Sequence, residues 1–452
     1  MAKKKQIELT IEEKLQNALV PKEEQPYKIP SNWCWSYWKY CGKFIAGNGF
    51  KNIYQGFTQY DIPYYKVGSL KFCDEGNYLI DETNTINEEI RTKLKAVKIP
   101  VNSIIFAKIG EAIKLNRRCL NKIECCIDNN LMAFISEKYF YKYIFYWTKS
   151  LNFYELTNAT TVPALRKTDL ENIPIPLPPI KEQQRIVNII ESLFAKLDRA
   201  KELIENTLAQ FEQNKMAILH KAFTGELTAK WRKENNIDLS SWEKIKLGKV
   251  LLPMQTKKPT GQFFRYIDID AIDNKRQIVK APKLILTEKA PSRASRGVET
   301  GNILFSMVRP YLKNIAQIDS DLSDCIASTG FYVCRCKPEL NSRFLYYLFI
   351  FDKTIDYLMQ FMKGDNSPSI RKDDLLNMKI DLPTIEEQQE IVNILDNLLA
   401  KYNKIKNLEQ QLEKIELLKK AILAKAFRGE LGTNNPDEES AENLLKEILA
   451  EK

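Results

Sequence analysis

The stretch EQQRIVNI, at residues 182–189, recurs almost unchanged as EQQEIVNI at residues 387–394. Ten of the sixteen positions are identical when 181–196 is aligned with 386–401. The separation is far longer than the roughly 20–50 residues of a solenoid repeat. It indicates that the chain consists of two half-proteins in tandem, each carrying one copy of the motif.

The repeat extends in both directions from this motif. Upstream, Pro163 and Pro178 match Pro368 and Pro383, and downstream KAFTGEL at 221–227 matches KAFRGEL at 425–431. The offset is 205 residues upstream and 204 downstream, so one residue is missing within the second copy. The repeated unit is therefore a domain followed by one long segment with a defined beginning and end.

Each copy of the motif starts an alternating four- and three-residue spacing of apolar side chains, which predicts a long helix with a coiled-coil seam. Thr384 and Glu387 have the spacing of a capping box, and Gly225 and Gly429 stand where the helices should end. About forty residues correspond to roughly 60 Å of helix. The predicted seam residues are Ile186, Ile190, Leu193, Leu197, Ala200 and Ile204 in the first copy, and Ile391, Leu395, Leu398, Tyr402 and Ile405 in the second. The two seams are expected to pack against each other.

Two segments of similar size lie between these helices and look like diverged copies of one domain. Strands are predicted at 103–107, 303–305 and 331–335, and helices at 139–151 and 343–362. The chain is expected to divide into an N-terminal arm (1–26), a first domain (27–175), a first helix (176–237), a second domain (238–378), a second helix (379–432) and a helical tail (433–452). The predicted fold class is α/β, of the α+β type, with β-rich mixed sheets and an internal pseudo-two-fold repeat.

Composition excludes several classes of protein. A hydrophobic content of 44% in 452 residues is enough for ordinary cores, and the longest apolar run is much shorter than the ~20 residues of a membrane span. The nine cysteines include no C-x-x-C pair, and His220 is the only histidine. A Cys/His metal site is therefore not expected, and reduced thiols in a cytoplasmic protein are the simplest interpretation.

The net charge of +10 is not spread evenly. Segment 27–175 has 20 basic and 14 acidic residues, and segment 238–378 has 22 and 16, so each has a net charge of +6. The rest of the chain has a net charge of −2. This distribution predicts two polyanion-binding domains held by near-neutral helices.

Catalytic motifs are not evident. The one Pro-Pro pair, Pro178-Pro179, lacks the preceding carboxamide of an adenine methyltransferase, and the sequence has no phosphate-binding loop. The densest acidic group is Asp268, Asp270 and Asp273. We interpret it as a solvated strand edge and turn rather than as the metal site of a nuclease. His220 is expected to be a surface or packing residue near a helix end.

Basic residues of the two domains are the better candidates for binding. Arg can bind guanine or a phosphate with two parallel hydrogen bonds, and Lys supplies a point charge to a phosphate. The predicted DNA-contacting residues are Lys66, Lys108, Lys114, Arg117 and Arg118 in the first domain, and Arg265, Arg293, Arg296, Arg309, Tyr311 and Lys313 in the second. The aromatic cluster of Trp33, Trp35, Tyr37 and Trp38 is interpreted as core packing.

With these features the chain resembles the specificity subunits of type I restriction–modification enzymes. The resemblance rests on the motif P-x-x-x-E-Q-Q-x-I-V-x-I at 178–189 and 383–394, on the paired K-A-F-x-G-E-L ends, and on the domain–helix–domain–helix order. It covers the chain from about residue 27 to 431.

The resemblance implies a non-catalytic subunit that binds double-stranded DNA. Each domain would read one half of a split, asymmetric target, and the helices would form an antiparallel coiled coil that sets the spacing. The chain would bind no cofactor or metal itself. Its expected partners are two adenine methyltransferase subunits and restriction (translocase) subunits, which would use S-adenosylmethionine, ATP and Mg²⁺. Two alternatives stay open, a structural scaffold with non-specific DNA-binding domains and a self-sufficient methyltransferase or nuclease.

Overall fold

A computed structural model of the chain describes residues 9–137, 139–157, 162–403 and 406–451, without the side chains of residues 401–403, 406 and 407. The chain divides into two compact units. The first unit consists of Met1–Glu202 with Gln411–Lys452, and the second unit is Leu203–Gln410. The first unit therefore contains both ends of the chain.

The helices fall at the positions that the repeat predicts, with shorter helices inside and around the domains. Within the described residues they are α1 (Ile11–Ala18), α2 (Glu88–Leu94), α3 (Tyr141–Ser150), α4 (Lys167–Glu171), α5 (Ile180–Phe223), α6 (Ala229–Glu234), α7 (Ser342–Ile350), α8 (Asp352–Met359), α9 (Lys372–Leu376), α10 (Ile385–Asn403), α11 (Lys406–Phe427) and α12 (Ala441–Ala450). The division between the two units falls within α5.

The strands are short and belong to the two domains. The first domain has β1 (Cys34–Tyr37), β2 (Gly42–Ala46), β3 (Ile62–Tyr65), β4 (Thr85–Ile86), β5 (Ile104–Ala107), β6 (Arg118–Leu120), β7 (Cys126–Ile127), β8 (Leu131–Ser136) and β9 (Pro174–Leu177). The second has β10 (Glu243–Lys246), β11 (Leu251–Leu252), β12 (Phe263–Ile267), β13 (Ile272–Asp273), β14 (Ile278–Val279), β15 (Lys283–Leu286), β16 (Ala294–Gly297), β17 (Ile303–Ser306), β18 (Ile315–Gln317), β19 (Ile326–Ser328), β20 (Phe331–Cys336) and β21 (Lys379–Leu382).

Both domains are built on the same arrangement of sheets. The first has a four-stranded sheet in the order β2-β8-β5-β6, and the second has one in the order β11-β20-β17-β18. A second sheet in each domain contains a parallel pair, β3 with β7 and β12 with β19. Parallel and antiparallel pairs thus occur together, which confirms the mixed α/β class with two sheet-rich domains.

An antiparallel ribbon closes each domain immediately before its long helix. Strand β1 pairs with β9, and β10 pairs with β21. The last residue of each ribbon, Leu177 or Leu382, is followed by the proline that precedes the helix. The ribbon therefore fixes where the helix begins relative to its domain.

The core of the first domain surrounds Trp38, which is fully buried. The rings of Phe44 and Phe134 lie 4.7 and 5.0 Å from that of Trp38, and the ring of Trp147 lies 5.0 Å away. Trp33 and Trp35 are buried as well. The Phe44 and Trp147 rings pack edge-to-face with Trp38, and such pairs contribute to stability beyond their buried area. The interpretation of the aromatic cluster as core packing is confirmed for the three tryptophans, whereas Tyr37 is only half-buried and donates to Glu24 at the surface (3.1 Å).

One predicted element differs from the structure. The helix expected at 343–362 is two helices, α7 and α8, separated by Phe351 in an extended conformation. Phe351 is buried against Phe223, with ring centroids 5.3 Å apart, so tertiary packing interrupts a stretch that is apolar enough to continue as one helix. The other predicted helix and the three predicted strands lie where α3, β5, β17 and β20 are observed.

The two ends of the chain pack together within the first unit. Leu15 of α1 belongs to the same buried core as Leu445, Ile448 and Leu449 of α12. The Asn32 side chain donates a hydrogen bond to the carbonyl of Asn435 (3.0 Å). The predicted helical tail is thus a structural part of the first unit. Among the helices of the described residues, none is both long and apolar enough to cross a membrane.

Candidate nucleic-acid interface and helix junctions

The repeated glutamine of each motif attaches the start of a helix to its domain. Gln183 is fully buried; its amide donates to the carbonyl of Pro178 (2.9 Å) and its oxygen accepts from the backbone N–H of Phe140 (3.1 Å). Gln388 is equally buried and makes the same pair of bonds, to Pro383 (2.8 Å) and from Asn341 (2.8 Å). Because buried polar groups must be satisfied, this side chain fixes the helix start in both units.

The preceding glutamate of each motif is also buried, and it connects the start of one helix to the segment after the other. Glu182 accepts a hydrogen bond from the hydroxyl of Thr433 and forms an ion pair with Arg185 (2.9 Å). Arg185 in turn forms a bidentate pair with Glu438 (2.7 and 2.8 Å). We call this set the first junction.

Glu387 occupies the equivalent place in the second junction. It forms an ion pair with the buried Arg232 and accepts hydrogen bonds from the hydroxyl of Thr228 (2.6 Å) and the indole N–H of Trp242 (2.9 Å). Only half of the predicted capping box is present, since the Glu387 N–H donates to Thr384 Oγ1 (3.4 Å) while its carboxylate binds these distant groups. A buried carboxylate is stabilised most by a cation and charge-assisted hydrogen bonds, which explains the difference.

Each junction combines the start of one long helix with the end of the other. The Phe427 ring lies 5.3 Å from that of Tyr143 in the first unit, and the Phe223 ring lies 5.3 Å from that of Phe344 in the second. The helix ends turn sharply at Gly225 and Gly429, where φ is +80° and +74°. A β-carbon at Gly429 would lie 2.5 Å from Pro30, so glycine is required there for both conformation and space.

The seam residues are not equally buried. Ile186, Ile190, Ile391 and Leu395 are fully buried beside the domains, and Ile204 is 9% exposed. Leu193, Leu197, Ala200 and Leu398 are half-buried. The side chain of Tyr402 and the whole of Ile405 lie outside the described residues.

Side chains on the outer part of the first unit's helices establish an antiparallel pairing. Asp198 forms an ion pair with Lys419, and Lys201 with Glu416 (3.4 Å). The Lys419 ammonium also lies 5.2 Å from the ring of Phe194. The residue that comes later in α5, Lys201, pairs with the residue that comes earlier in α11, Glu416. The two helices therefore run in opposite directions. In the second unit, Leu219 of α5 shares a core with Ile391 and Leu395 of α10.

The predicted DNA-contacting residues of the first domain have different environments. Arg117 is exposed, and Lys108 is half-exposed after β5. Lys114 is exposed but paired with Glu111 (2.7 Å), and Lys66 donates to Gln55 (2.8 Å). Lys108, Lys114 and Arg117 lie within one connection, between β5 and β6, whereas Lys66 follows β3.

Arg118 has an internal position. It is 4% exposed; its guanidinium donates to the carbonyls of Asn116 and Leu151 (2.8 Å to Leu151) and stacks 3.8 Å from the ring of Phe153. Burial lowers the pKa of Arg118 to about 9. The Leu151 carbonyl is at the end of α3, so Arg118 caps that helix with a positive charge.

In the second domain the structure separates the predicted residues into two groups. Arg265, Arg293 and Arg296 lie on or beside the sheet β15-β12-β19-β16. Arg265 forms an ion pair with Asp324 (2.8 Å), Arg296 is half-buried, and Arg293 is exposed. This sheet face is one candidate DNA surface.

The second group follows β17. Arg309 has a left-handed backbone (φ +47°), is exposed, and donates to the carbonyl of Asn366 (2.7 Å). Tyr311 is 41% exposed. Lys313 points inward, where it pairs with Asp352 and donates to the carbonyl of Ile350 at the end of α7 (3.1 Å). Lys313 therefore caps α7 as Arg118 caps α3, but from a different position, because Arg118 pairs with Phe106 in its sheet whereas Ile315 pairs with the equivalent Phe305.

The acidic group is engaged in turns and ion pairs. Asp268 accepts from the Ala271 N–H (3.1 Å) and pairs with Lys283, and Asp273 accepts from the N–H groups of Lys275 and Arg276 (3.1 Å each). No metal-binding group of three or more His, Cys, Asp or Glu residues is found within the described part of the chain. His220 is half-buried, with its ring 6.1 Å from that of Phe351, in agreement with a packing role.

The type I restriction modification DNA specificity domain model matches residues 52–210 and again 242–417. The EcoDI specificity subunit of Escherichia coli is 28% identical over 342 residues, which cover 68% of this chain and 76% of that protein. The MjaVIII specificity subunit of Methanocaldococcus jannaschii is 26% identical over 300 residues, 62% and 67% of the two chains.

Solved structures show the same fold. A chain from a type I R-M system superposes with a TM-score of 0.65 at 20% identity, covering 90% of this chain and all of that chain. The HsdS subunit from Thermoanaerobacter tengcongensis superposes with a TM-score of 0.51 at the same identity and coverage. The family's domain thus occurs twice, and its first match extends through most of α5. The chain belongs to the DNA specificity subunits of type I restriction–modification systems.

Proposed function

We propose that this chain reads a bipartite, asymmetric sequence in double-stranded DNA, with each domain reading one half. The observation that carries the proposal is that Gln183 and Gln388 make the same contacts at the two helix starts, while the exposed residues of the domains differ. Gly110 and Arg309 illustrate this. Both follow the equivalent strand with a left-handed backbone, and their N–H groups donate to the equivalent Pro163 and Pro368 carbonyls (2.8 Å each). One framework thus presents different side chains, as two different half-sites require.

The long helices would fix the distance between the half-sites and provide the assembly surface. Partners of this kind would be two adenine methyltransferase subunits and restriction (translocase) subunits. Catalysis would belong to them, with S-adenosylmethionine, ATP and Mg²⁺ as their cofactors, whereas this chain would act as the DNA-recognition component without a cofactor of its own. The cytoplasmic location stays a prediction.

The proposal is tested by mapping methylated adenines in DNA from cells that express the chain with its methyltransferase partners. Replacing 238–378 by the corresponding domain of another specificity subunit should change one half of the methylated sequence and leave the other half unchanged. A change in both halves would show that the domains do not read independently.

The spacing role has its own test. Inserting seven residues after Lys196, within α5, should change the unread gap and leave both half-sites intact. The matched control is the same insertion after Gly56, a left-handed residue with open space around it, which should leave the gap unchanged. Altered half-sites with an unaltered gap would reverse the assigned roles.

A non-specific scaffold makes a different prediction about affinity. A sequence-specific reader binds its selected target several kcal/mol more tightly than random DNA at the same salt concentration. Equal affinities of the assembled complex for the methylated sequence and for random duplexes would favour the scaffold.

A further inference from the structure

A cavity of about 320 Å³ opens in the first domain beside β6. Four cationic side chains line it, among them Arg117 and Lys149, together with two cysteines, Cys73 and Cys119. Among the described residues that line it there is no carboxylate. The concentration of positive charge around two thiols distinguishes this cavity from an ordinary packing gap.

The two thiols are in direct contact. The Sγ atoms of Cys73 and Cys119 lie 2.6 Å apart, and both residues are free cysteines. They differ in access. Cys73 is half-buried at the cavity rim, whereas Cys119 is buried on β6 with its sulfur 3.5 Å from the carbonyl of Leu70.

Their surroundings make one thiol acidic and the other not. The hydrogen bond with Cys119 lowers the pKa of Cys73, and the charges of Lys149 and Arg117 lower it further against the opposing effects of burial and Asp74. The hydrogen bond with Cys73, together with burial, raises the pKa of Cys119. Since the thiolate is the nucleophile, Cys73 is the reactive member of the pair.

We propose that Cys73 and Cys119 form a dithiol modification site that hydrogen peroxide oxidises to an intradomain disulfide. The Cys73 thiolate attacks one peroxide oxygen, so that an S–O bond forms, the O–O bond breaks, and the first water leaves after protonation. Cys119 then attacks the Cys73 sulfur, the S–S bond forms, and the S–O bond breaks. The Cys119 proton goes to the departing oxygen as the second water, and the two thiols have given two electrons to the peroxide.

Cys336 is a thiol in the same chain with which the reaction rate of Cys73 can be compared. It is half-buried like Cys73, but burial raises its pKa to about 12. Exposure alone would make the two thiols equally reactive, whereas the cation-lined site favours Cys73. The ratio of their reaction rates therefore isolates the contribution of the site.

The test uses the full-length chain treated with graded hydrogen peroxide, alkylated, digested and examined by mass spectrometry. We expect a Cys73–Cys119 cross-linked peptide, reversed by dithiothreitol, at peroxide concentrations that leave Cys336 unmodified. Iodoacetamide should label Cys73 at least tenfold faster than Cys336 in the reduced protein. Equal labelling rates, or no cross-linked peptide before Cys336 oxidises, would overturn the proposal.

Two variants separate the roles of the thiols. Cys119→Ser should stop the reaction at the Cys73 sulfenic acid, trapped by dimedone, and Cys73→Ser should leave Cys119 unlabelled. Cys336→Ser is the matched control and should retain the cross-link. Circular dichroism checks that each variant folds, and dimedone labelling of Cys119 in folded Cys73→Ser would contradict the assignment of Cys73 as the attacking thiol.

Discussion

The two junctions each neutralise a buried glutamate, but they do so with different cations. Glu182 and Glu387 are equally buried at the start of equivalent helices, yet their cations differ. Arg232 is itself buried and follows the end of α5 along the chain, whereas Arg185 comes from the same helix as its partner and its side chain is 37% exposed. In the second junction a buried arginine neutralises the glutamate. In the first junction a partly exposed arginine does so, and this arginine also pairs with Glu438 of the segment after α11.

The difference follows from connectivity. The segment after α5 continues directly into the second domain, so Arg232 and Trp242 are always near Glu387. The segment after α11 contacts the start of the first domain through non-covalent bonds, such as that from Asn32 to Asn435. Trp33 takes part in this, with its indole N–H donating to Asn434 (3.2 Å) as that of Trp242 donates to Glu387. The repeated sequence thus produces two junctions of equivalent geometry, and we expect them to differ in stability.

Removing the tail helix should have the largest effect and should be confined to the first unit. Deleting 439–452 exposes the core that buries Leu445, Ile448 and Leu449, worth roughly 1.5–3 kcal/mol for each side chain. The loss is therefore on the order of 5 kcal/mol, comparable with the whole stability of a small domain. Hydrogen exchange should accelerate in α1 and β1 and stay unchanged in β17.

The matched control for that deletion is Glu447→Ala, on the exposed face of the same helix. It should leave exchange in both units unchanged. Equal acceleration in β1 and β17 after the deletion would mean that the tail supports the whole chain and that the proposed inequality of the junctions is wrong.

The buried ion pair of the second junction should show the next largest effect. Arg232→Met leaves Glu387 buried without its cation, which costs about 3–5 kcal/mol in comparable cases. The lost free energy of unfolding is measured by urea titration, with hydrogen exchange in β17 and β20 reporting on the second unit. The neighbouring exposed residue supplies the control, and Lys233→Met should shift the midpoint little. A variant as stable as the wild type would show that water or rearrangement satisfies the carboxylate.

Replacing the two glutamates by glutamine should change the stability of the two junctions in opposite directions. Burial raises the pKa of Glu182, so its contribution to stability is complete below the unfolded pKa of about 4.3 and is lost as pH rises through the higher folded value. Glu182→Gln should therefore be more favourable to stability at pH 7 than near pH 4. Glu387→Gln should lose stability at pH 7, because it leaves Arg232 unpaired. Matching pH profiles for the two variants would contradict this comparison.

The sequence was sufficient for the repeat, the long helices and three of the strands, because these depend on local periodicity. It was not sufficient for the junctions. The spacing of Thr384 and Glu387 predicts a local capping box, but the carboxylate binds Arg232, which is 155 residues away in the chain. Burial and partner choice depend on contacts between distant residues that periodicity does not encode. The same limit applies to the basic residues, since charge alone did not separate the inward-pointing Arg118 and Lys313 from the exposed Arg117 and Arg309.

The smallest effects should distinguish helix-capping cations from DNA-binding ones in the second unit. Lys313 donates to the last carbonyl of α7, so Lys313→Gln should cost about 0.3–1 kcal/mol of stability and leave the salt dependence of DNA binding unchanged. Arg309 is exposed on the same turn, and Arg309→Gln should reduce the salt slope by about one ion if it contacts a phosphate, or cost about 1–3 kcal/mol at one base pair of the second half-site. Both variants remove one charge and shorten the side chain, so each is the other's control. Binding isotherms at several salt concentrations, paired with urea unfolding, measure the four quantities. A reduced salt slope for Lys313→Gln with unchanged stability would show that this lysine leaves the helix end to bind DNA, and the capping roles assigned to Lys313 and Arg118 would then not be equivalent.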